Sequence, residues 1–372
     1  MNAGGPGPRR ARRRMIGSTV ALALLVGAAL ATLWVPAPFG PAAAAEPAGG
    51  GPGGEGNPAS QLRLGYFGNV THAPALVGIQ RGFLARELAA DGTGLRTQVF
   101  NAGPAAVEAL NAGAIDAAYL GPTPAIGSYT SSAGRSLKVV AGATSGGAQL
   151  VVRQDITSPA RLRGTVLASP QLGGTQDVAL RSWLADQGYV VAADGSGDVD
   201  INPTDNSRAL ALFKAGRIDG AWLPEPWASR LVLEAGARVL VDERDLRDGS
   251  PTARPGHFPS TVLVVDADFA AKHPDTVTAL VAGNAEAVSW LQEADAAERA
   301  ETINAGIEDA AGARLPDEVL ARALDTTDFT TDPFPGAFDR LLEQGVAAGV
   351  TRDGSLDGLF DPDTTPPKGT RR

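Results

Sequence analysis

No cysteine occurs anywhere in the 372-residue chain, which excludes disulfides, thiol nucleophiles, cysteine-ligated zinc and a lipid-modified N-terminal cysteine. Histidine is almost as scarce. His72, His257 and His273 are the only three, and they show no metal-ligand spacing. No P-loop lysine, Gly-x-Gly-x-x-Gly fingerprint, Gly-x-Ser-x-Gly elbow or Ser/His/Asp order is present. The expectation is a protein without metal, cofactor or catalytic residues. Basic residues are also short: beyond residue 45, 27 Lys and Arg stand against 41 Asp and Glu. So acidic a body argues against nucleic acid and anionic membrane as partners.

The apolar and charged contents, 44% and 20%, are those of a folded chain, and its length suits about two domains. Residues 1–45 read as an export segment. Arg9, Arg10, Arg12, Arg13 and Arg14 precede an apolar run from Met15 to Val35, and Ala43-Ala44-Ala45 offers a small-residue cleavage site. The run is long enough to span a bilayer, so a cleaved signal and a retained membrane anchor both stay open. The paired arginines also allow a twin-arginine reading, which the residues after them fit poorly. Either way the remainder is sent out of the cytoplasm. Residues 46–60 are a flexible Gly/Pro linker, and 362–372 read as a disordered tail.

Between these ends one eleven-residue pattern occurs twice, as AGAIDAAYLGP at 112–122 and AGRIDGAWLPE at 215–225, with six identical positions. Each copy follows an apolar helical stretch. The glycine suits the left-handed residue after a helix, and the apolar run behind it reads as a buried strand. Each unit is thus helix, turn, strand, then a Pro-rich loop at the strand's carboxyl end, where open α/β sheets bind ligands. Other strands are read at 62–67, 95–100, 137–143, 149–153, 165–169, 199–202, 238–242 and 260–265. Helices are read at 74–82, from 177 to 188, and near 266–272, 275–294, 296–311, 316–323 and 334–348. The expected fold class is α/β, with lobe 1 from 61–147 and 266–361 and lobe 2 from 148–265. Residues 144–148 are read as the first crossing.

Three loops carry chemistry. Gly173-Gly174-Thr175 follows a strand and opens a helix, an arrangement that holds an anion on backbone amides without Lys or Arg. Pro224-Glu225-Pro226-Trp227 ends the second repeat and stiffens the backbone around Glu225; Gly121-Pro122-Thr123-Pro124 holds the matching place in the first. His72, near Asn69, reads as a hydrogen-bonding loop residue. Each stretch also has a plain reading as a turn. Asp116 and Asp219 read as structural, bonding turn amides.

With the exported start, Asn69-Val70-Thr71-His72-Ala73-Pro74, Glu108-Ala109-Leu110 before Gly113-Ala114-Ile115-Asp116, the Gly121 to Pro124 loop and Gly216-Arg217-Ile218-Asp219, residues 61–360 resemble the periplasmic-binding-protein group of ABC importers for nitrate, aliphatic sulfonates and taurine. The resemblance implies a two-lobed type II periplasmic-binding-protein fold closing on a small solute. It also implies a monomer serving a membrane permease and an ATPase. The site it implies comprises Asn69, His72, Gly103, Gly121, Thr123, the hinge residue Gln149, Gln171, Gly173, Gly174, Thr175, Gln176, Glu225 and Trp227. Two departures stand out: the lipid-anchor cysteine is missing, and no Lys or Arg sits at a loop tip. A sulfonate-like oxyanion is the expected ligand. A thiamine-pyrimidine precursor between Tyr119, Trp222 and Trp227 is the alternative, alongside an enzyme or a sensor built on the same fold.

Overall fold

The computed structural model describes residues 57–246 and 258–361. The stretch read as an export segment, most of the stretch read as a linker, His257 and residues 362–372 lie outside them. Among the described residues no helix is long and apolar enough to cross a membrane.

The chain alternates strand and helix as its hydrophobic pattern requires. In order, β1 (Gln61–Phe67), α1 (Ala73–Gln80), α2 (Phe83–Ala90), β2 (Gly94–Phe100), α3 (Gly103–Asn111), β3 (Ala117–Leu120), α4 (Pro122–Ser131) and β4 (Leu137–Gly146) form a first series. Then follow β5 (Ala148–Val152), β6 (Val166–Ser169), α5 (Thr175–Asp186), β7 (Asp200–Pro203), α6 (Asn206–Lys214), β8 (Gly220–Pro224), α7 (Trp227–Ala235) and β9 (Arg238–Asp242). The chain closes with β10 (Pro259–Asp266), α8 (Ala267–Lys272), α9 (Pro274–Glu293), α10 (Ala296–Ala311), α11 (Asp317–Asp325), β11 (Thr327–Phe329) and α12 (Pro335–Ala347).

Two sheets result, with strand orders β11-β4-β10-β3-β1-β2 and β7-β6-β8-β5-β9. They share one plan. In each, three parallel strands (β2-β1-β3 and β7-β6-β8) are followed by an antiparallel one, β10 or β5. The two antiparallel strands are the ones that enter each sheet from the other half of the chain. The crossing from β4 to β5 is made at Gly146 and Gly147, both with positive φ (65° and 73°), a conformation that strains any residue with a side chain. A Cβ on Gly147 would also lie 2.7 Å from Thr327 Oγ1. The α/β expectation is met, with helices flanking both sheets.

Details differ from the sequence reading. Helix α4 already begins at Pro122, inside the stretch that reads as the Pro-rich loop of the first repeat. Helix α2 and strand β11 are additions, the latter three residues long and too short to show a period. Helix α12 packs against both α4 and α5.

The repeats occupy equivalent places. Asp116 accepts hydrogen bonds from the backbone N–H (2.8 Å) and guanidinium of Arg63 on β1. Asp219 accepts from the N–H of Val166 on β6 (2.9 Å) and from Arg153. Each aspartate therefore anchors a neighbouring strand, not the turn amides the sequence reading assigned it. Tyr119 and Trp222 are fully buried core residues, each with its polar atom bonded. Tyr119 Oη donates to Asn284 Oδ1 (2.9 Å), and Trp222 Nε1 donates to Glu243 Oε1 (2.8 Å).

The other carboxyl oxygen of Glu243 has no partner. Burial pushes this group up to about 8 from an ordinary value of 4.5; the Trp222 bond lowers it and Asp242 raises it. Between those two values the folded chain keeps a proton that the unfolded chain releases, so stability falls as pH rises through the window. We expect Glu243→Gln to flatten that slope, by about 1.4 kcal/mol per pH unit at most. Melting temperatures followed against pH check this, and parallel curves for the two proteins would remove Glu243 from the account.

Candidate functional site

The carboxyl ends of the parallel strands in both sheets meet at one cavity of about 50 Å³. Its wall is made of strand-to-helix loops, because each parallel strand delivers the chain to a helix N-terminus there. From the first sheet come Asn69 and His72 before α1, Asn101 and Gly103 at α3, and Gly121 at α4. From the second come Gln171, Gly174, Thr175 and Gln176 at α5, and Asn206 at α6. Five helices of eight or more residues thus begin at the cavity, each contributing positive partial charge there. No lining side chain is a carboxylate, a lysine or an arginine.

His72 is the only titratable group on the wall, and it stays neutral. It is buried, its ring stacks on Phe67 (centroids 4.2 Å apart), and burial pushes it down to about 3. Its Nδ1 accepts from Phe67 N–H (3.4 Å), which places the proton on Nε2 as a hydrogen-bond donor. Two buried polar atoms on the wall have no partner, Thr261 Oγ1 and Asn206 Oδ1. Buried polar groups ordinarily bond something, so these two mark where a ligand would complete the set. No group of metal-ligating side chains occurs among the described residues.

The glycine-rich loop presents fewer amides than its sequence implies. Gly173 N–H donates to Asp177 Oδ2 (3.0 Å) and Gly174 N–H to Gln171 O (3.1 Å). The amides of Thr175 and Gln176 remain, first in α5 and without a carbonyl inside the helix to bond. Asp177 is buried with Ser169 and Arg181 as partners (2.7 and 3.0 Å), so its charge is matched beneath the loop.

Of the thirteen residues expected at the site, the structure gathers eight on the cavity wall: Asn69, His72, Gly103, Gly121, Gln171, Gly174, Thr175 and Gln176. The other five lie elsewhere. Gly173 is turned into the Asp177 bond. Thr123 is buried in the first turn of α4, its N–H facing Thr175 Oγ1 at 3.4 Å. Trp227 stands outside the cavity, donating from Nε1 to Asn69 Oδ1 (3.2 Å) across the crevice.

Glu225 and Gln149 belong to the joint between the sheets. The Glu225 carboxylate is fully buried and accepts from Ser229 N–H (3.0 Å), Thr326 Oγ1 (3.2 Å) and Arg322 Nη1 (3.2 Å). Gln149 accepts from Arg322 (2.7 Å) and donates to Asp242 (2.7 Å). With every polar atom engaged, neither side chain is free for a solute. Burial raises the Glu225 carboxyl above its ordinary value, and the bonds from Ser229, Arg322 and Thr326 hold it down.

Ser260 and Thr261 were missed as site residues because the sequence shows them only as the start of the return strand β10. Asn206, the first residue of α6, was not among the expected site residues. Tyr119 and Trp222 lie in the cores, so the aromatic walls expected for a pyrimidine are not formed by them.

A family model described as NMT1-like matches residues 55–305. The taurine-binding periplasmic protein of Escherichia coli is 29% identical over 185 residues, 48% of this chain and 52% of that protein. The chain spans about half the length of the curated relatives it matches first, or less. Among solved structures, the alkanesulfonate-binding protein SsuA of Xanthomonas axonopodis bound to MOPS superposes with a TM-score of 0.62 at 21% identity, over 80% of this chain and 96% of that one. The nitrate-binding protein NrtA of Synechocystis superposes at 0.63 and 17% identity, over 81% and 84%. These likenesses show a shared fold, that of periplasmic binding proteins.

Proposed function

Because the chain belongs to the NMT1-like family, we propose that it is the solute-binding component of an ABC importer. In this reading it works outside the cytoplasm, takes up a small monovalent oxyanion with a sulfonate first, and hands it unaltered to a permease and its ATPase. The observation that carries the reading is the cavity itself. Five helix N-termini and the Thr175 and Gln176 amides face a space with no ionised side chain, and two buried polar atoms there have no partner. Such a site attracts an anion by fixed dipoles. The names of the relatives, which bind taurine, nitrate and alkanesulfonates, point the same way.

Thermal-shift measurements with methanesulfonate, taurine, nitrate, bicarbonate and a hydroxymethylpyrimidine test it, since a tight ligand raises the melting temperature by mass action. The expected result is a rise with one or more of the oxyanions. A rise with the pyrimidine alone would overturn the ligand class, and turnover of any of them would overturn the binding-only reading. Because His72 is neutral well below physiological pH, affinity for a strong-acid anion is expected to stay flat between about pH 5.5 and 8. Calorimetry across that range checks it; a tenfold gain at the acid end would mean that a histidine cation holds the anion.

A further inference from the structure

Helix α5 meets the inner cavity only with its first residues, and further along it faces a different space. A chamber of about 330 Å³, within the size range of small-molecule sites, lies between α5 and α12 and shares no lining residue with the inner cavity. Trp183 and Asp186 line it from α5, Arg340 and Leu341 from α12, and Leu246 and Phe258 from the ends of β9 and β10. Both halves of the chain therefore build it. Helix α5 and Leu246 go with the second sheet. Phe258 goes with the first, its carbonyl accepting from Gly146 N–H (2.9 Å) and Ser145 Oγ (3.0 Å) on β4. Helix α12 does so too: it packs on α4, and Phe338 meets Phe360, which bridges to Val139 of β4. The wall is apolar and aromatic, with Trp183 set edge-on against the buried Trp222 (centroids 6.3 Å apart). Its charge is negative. Arg340 stands 4.0 Å from Asp186, and Asp245 is a second carboxylate on the wall. The neighbouring Arg244 is taken by Asp242 (2.9 and 3.1 Å), so Asp245 has no ion-pair partner among the described residues. Aromatic faces beside an unmatched carboxylate attract an organic cation and repel an anion.

We propose that this chamber is a second binding site, for a small aromatic or apolar organic cation whose presence strengthens solute binding. Its ring lies against Trp183 and Phe258 and its charge beside Asp245. The link to the solute runs through the helices. Thr175 and Gln176 at the start of α5 and Gly121 at the start of α4 line the inner cavity, and α12 packs on both of these helices. An occupant between α5 and α12 braces the two halves in the arrangement that surrounds the solute. By linkage, the factor by which the cation raises solute affinity is the factor by which solute raises cation affinity. The coupling rests on the solute-binding reading given above; the second site does not.

Calorimetric titration of the full chain with tryptamine, indole-3-ethanol and indole-3-acetate, which carry one ring and three charges, tests the site. Tryptamine is expected to bind about two- to fivefold tighter than the neutral alcohol, the scale of an exposed ion pair, and the acetate more weakly than either. Asp245→Asn should erase most of the tryptamine advantage. Ser182→Trp fills the chamber from the part-exposed face of α5 and should abolish binding of all three, with the melting temperature reporting on the fold. Saturating tryptamine should then tighten the strongest oxyanion of the thermal-shift panel by about fivefold, the low end of measured couplings. Failure of tryptamine to bind, or binding that survives Ser182→Trp in a folded protein, would overturn the site. Equal affinity for the three indoles, or a tryptamine advantage that survives Asp245→Asn, would overturn the cation. Oxyanion affinity unchanged or lowered by tryptamine would overturn the coupling. Binding of tryptamine in a chain that takes none of the oxyanions would take down the solute reading and the coupling while leaving the second site in place.

Discussion

Gly121→Ala is expected to weaken solute binding by roughly 10- to 100-fold while leaving the unliganded protein folded. The backbone at Gly121 (φ −69°, ψ 152°) suits any residue, so the substitution carries no conformational strain of its own. What it meets is Thr175, across the crevice. A Cβ at Gly121 would fall well inside the contact distance of Thr175 Oγ1 and 3.2 Å from Thr175 Cβ. Loops of the two sheets meet here, and an inserted methyl keeps them apart. Overpacking of this kind costs about 1–3 kcal/mol, which falls on the closed, solute-holding arrangement and so appears in affinity. Calorimetry with the strongest ligand of the thermal-shift panel measures the loss, and the melting temperature without ligand reports on the fold. Thr175→Ala placed on top of Gly121→Ala removes the clashing oxygen and should recover part of the affinity. Unchanged binding in Gly121→Ala would mean that the loops do not meet when solute is held.

The second large effect is expected at the joint. Arg322→Met takes the cationic partner from a carboxylate with no exposed surface. Removing one member of a buried pair typically costs 3–5 kcal/mol. Here about 2–4 kcal/mol is expected, because Arg322 is partly exposed and Glu225 keeps Ser229 and Thr326 as partners and can take up a proton. At roughly 2–4 °C per kcal/mol for a chain of this size, the melting temperature should drop by about 5–15 °C. The sign of the pH dependence follows from Glu225. Its folded pKa is already raised by burial, and loss of Arg322 raises it further, so the variant recovers stability as pH falls. Adding Glu225→Gln should restore part of the loss at neutral pH. A drop equal at pH 5 and 8 would show that the charge on Glu225 is not what Arg322 stabilises.

Much of the fold was legible because its two halves use the same local rules. The repeated Gly-x-Ile-Asp segments marked β3 and β8, and the strand-to-helix loops followed from glycine and proline placement. The family resemblance named the same fold. What escaped were features set by contacts between distant segments. Nothing local at Glu225 shows that Arg322, ninety-seven residues later, reaches it. The Pro-Glu-Pro stiffness was legible, but not the inward turn of the side chain. Asp177 claims the Gly173 amide from one turn into α5, so counting glycines overstated the free donors. Trp222 and Tyr119 looked like pocket walls beside the loops, yet the alternation of β8 and β3 aims them into the cores. Ser260 and Thr261 reach the cavity through a strand pairing that only the return of the chain creates.

If the solute is the oxyanion proposed above, the inner cavity selects it by valence. Helix ends there supply fixed fractional charge that suits a single negative unit, and no side-chain cation stands by to match a second one. A sulfate or hydrogen phosphate dianion entering the same space would carry one uncompensated charge out of water, a loss that grows steeply away from bulk solvent. On that reading a singly charged solute is taken from a medium rich in doubly charged ones, with discrimination written into backbone geometry.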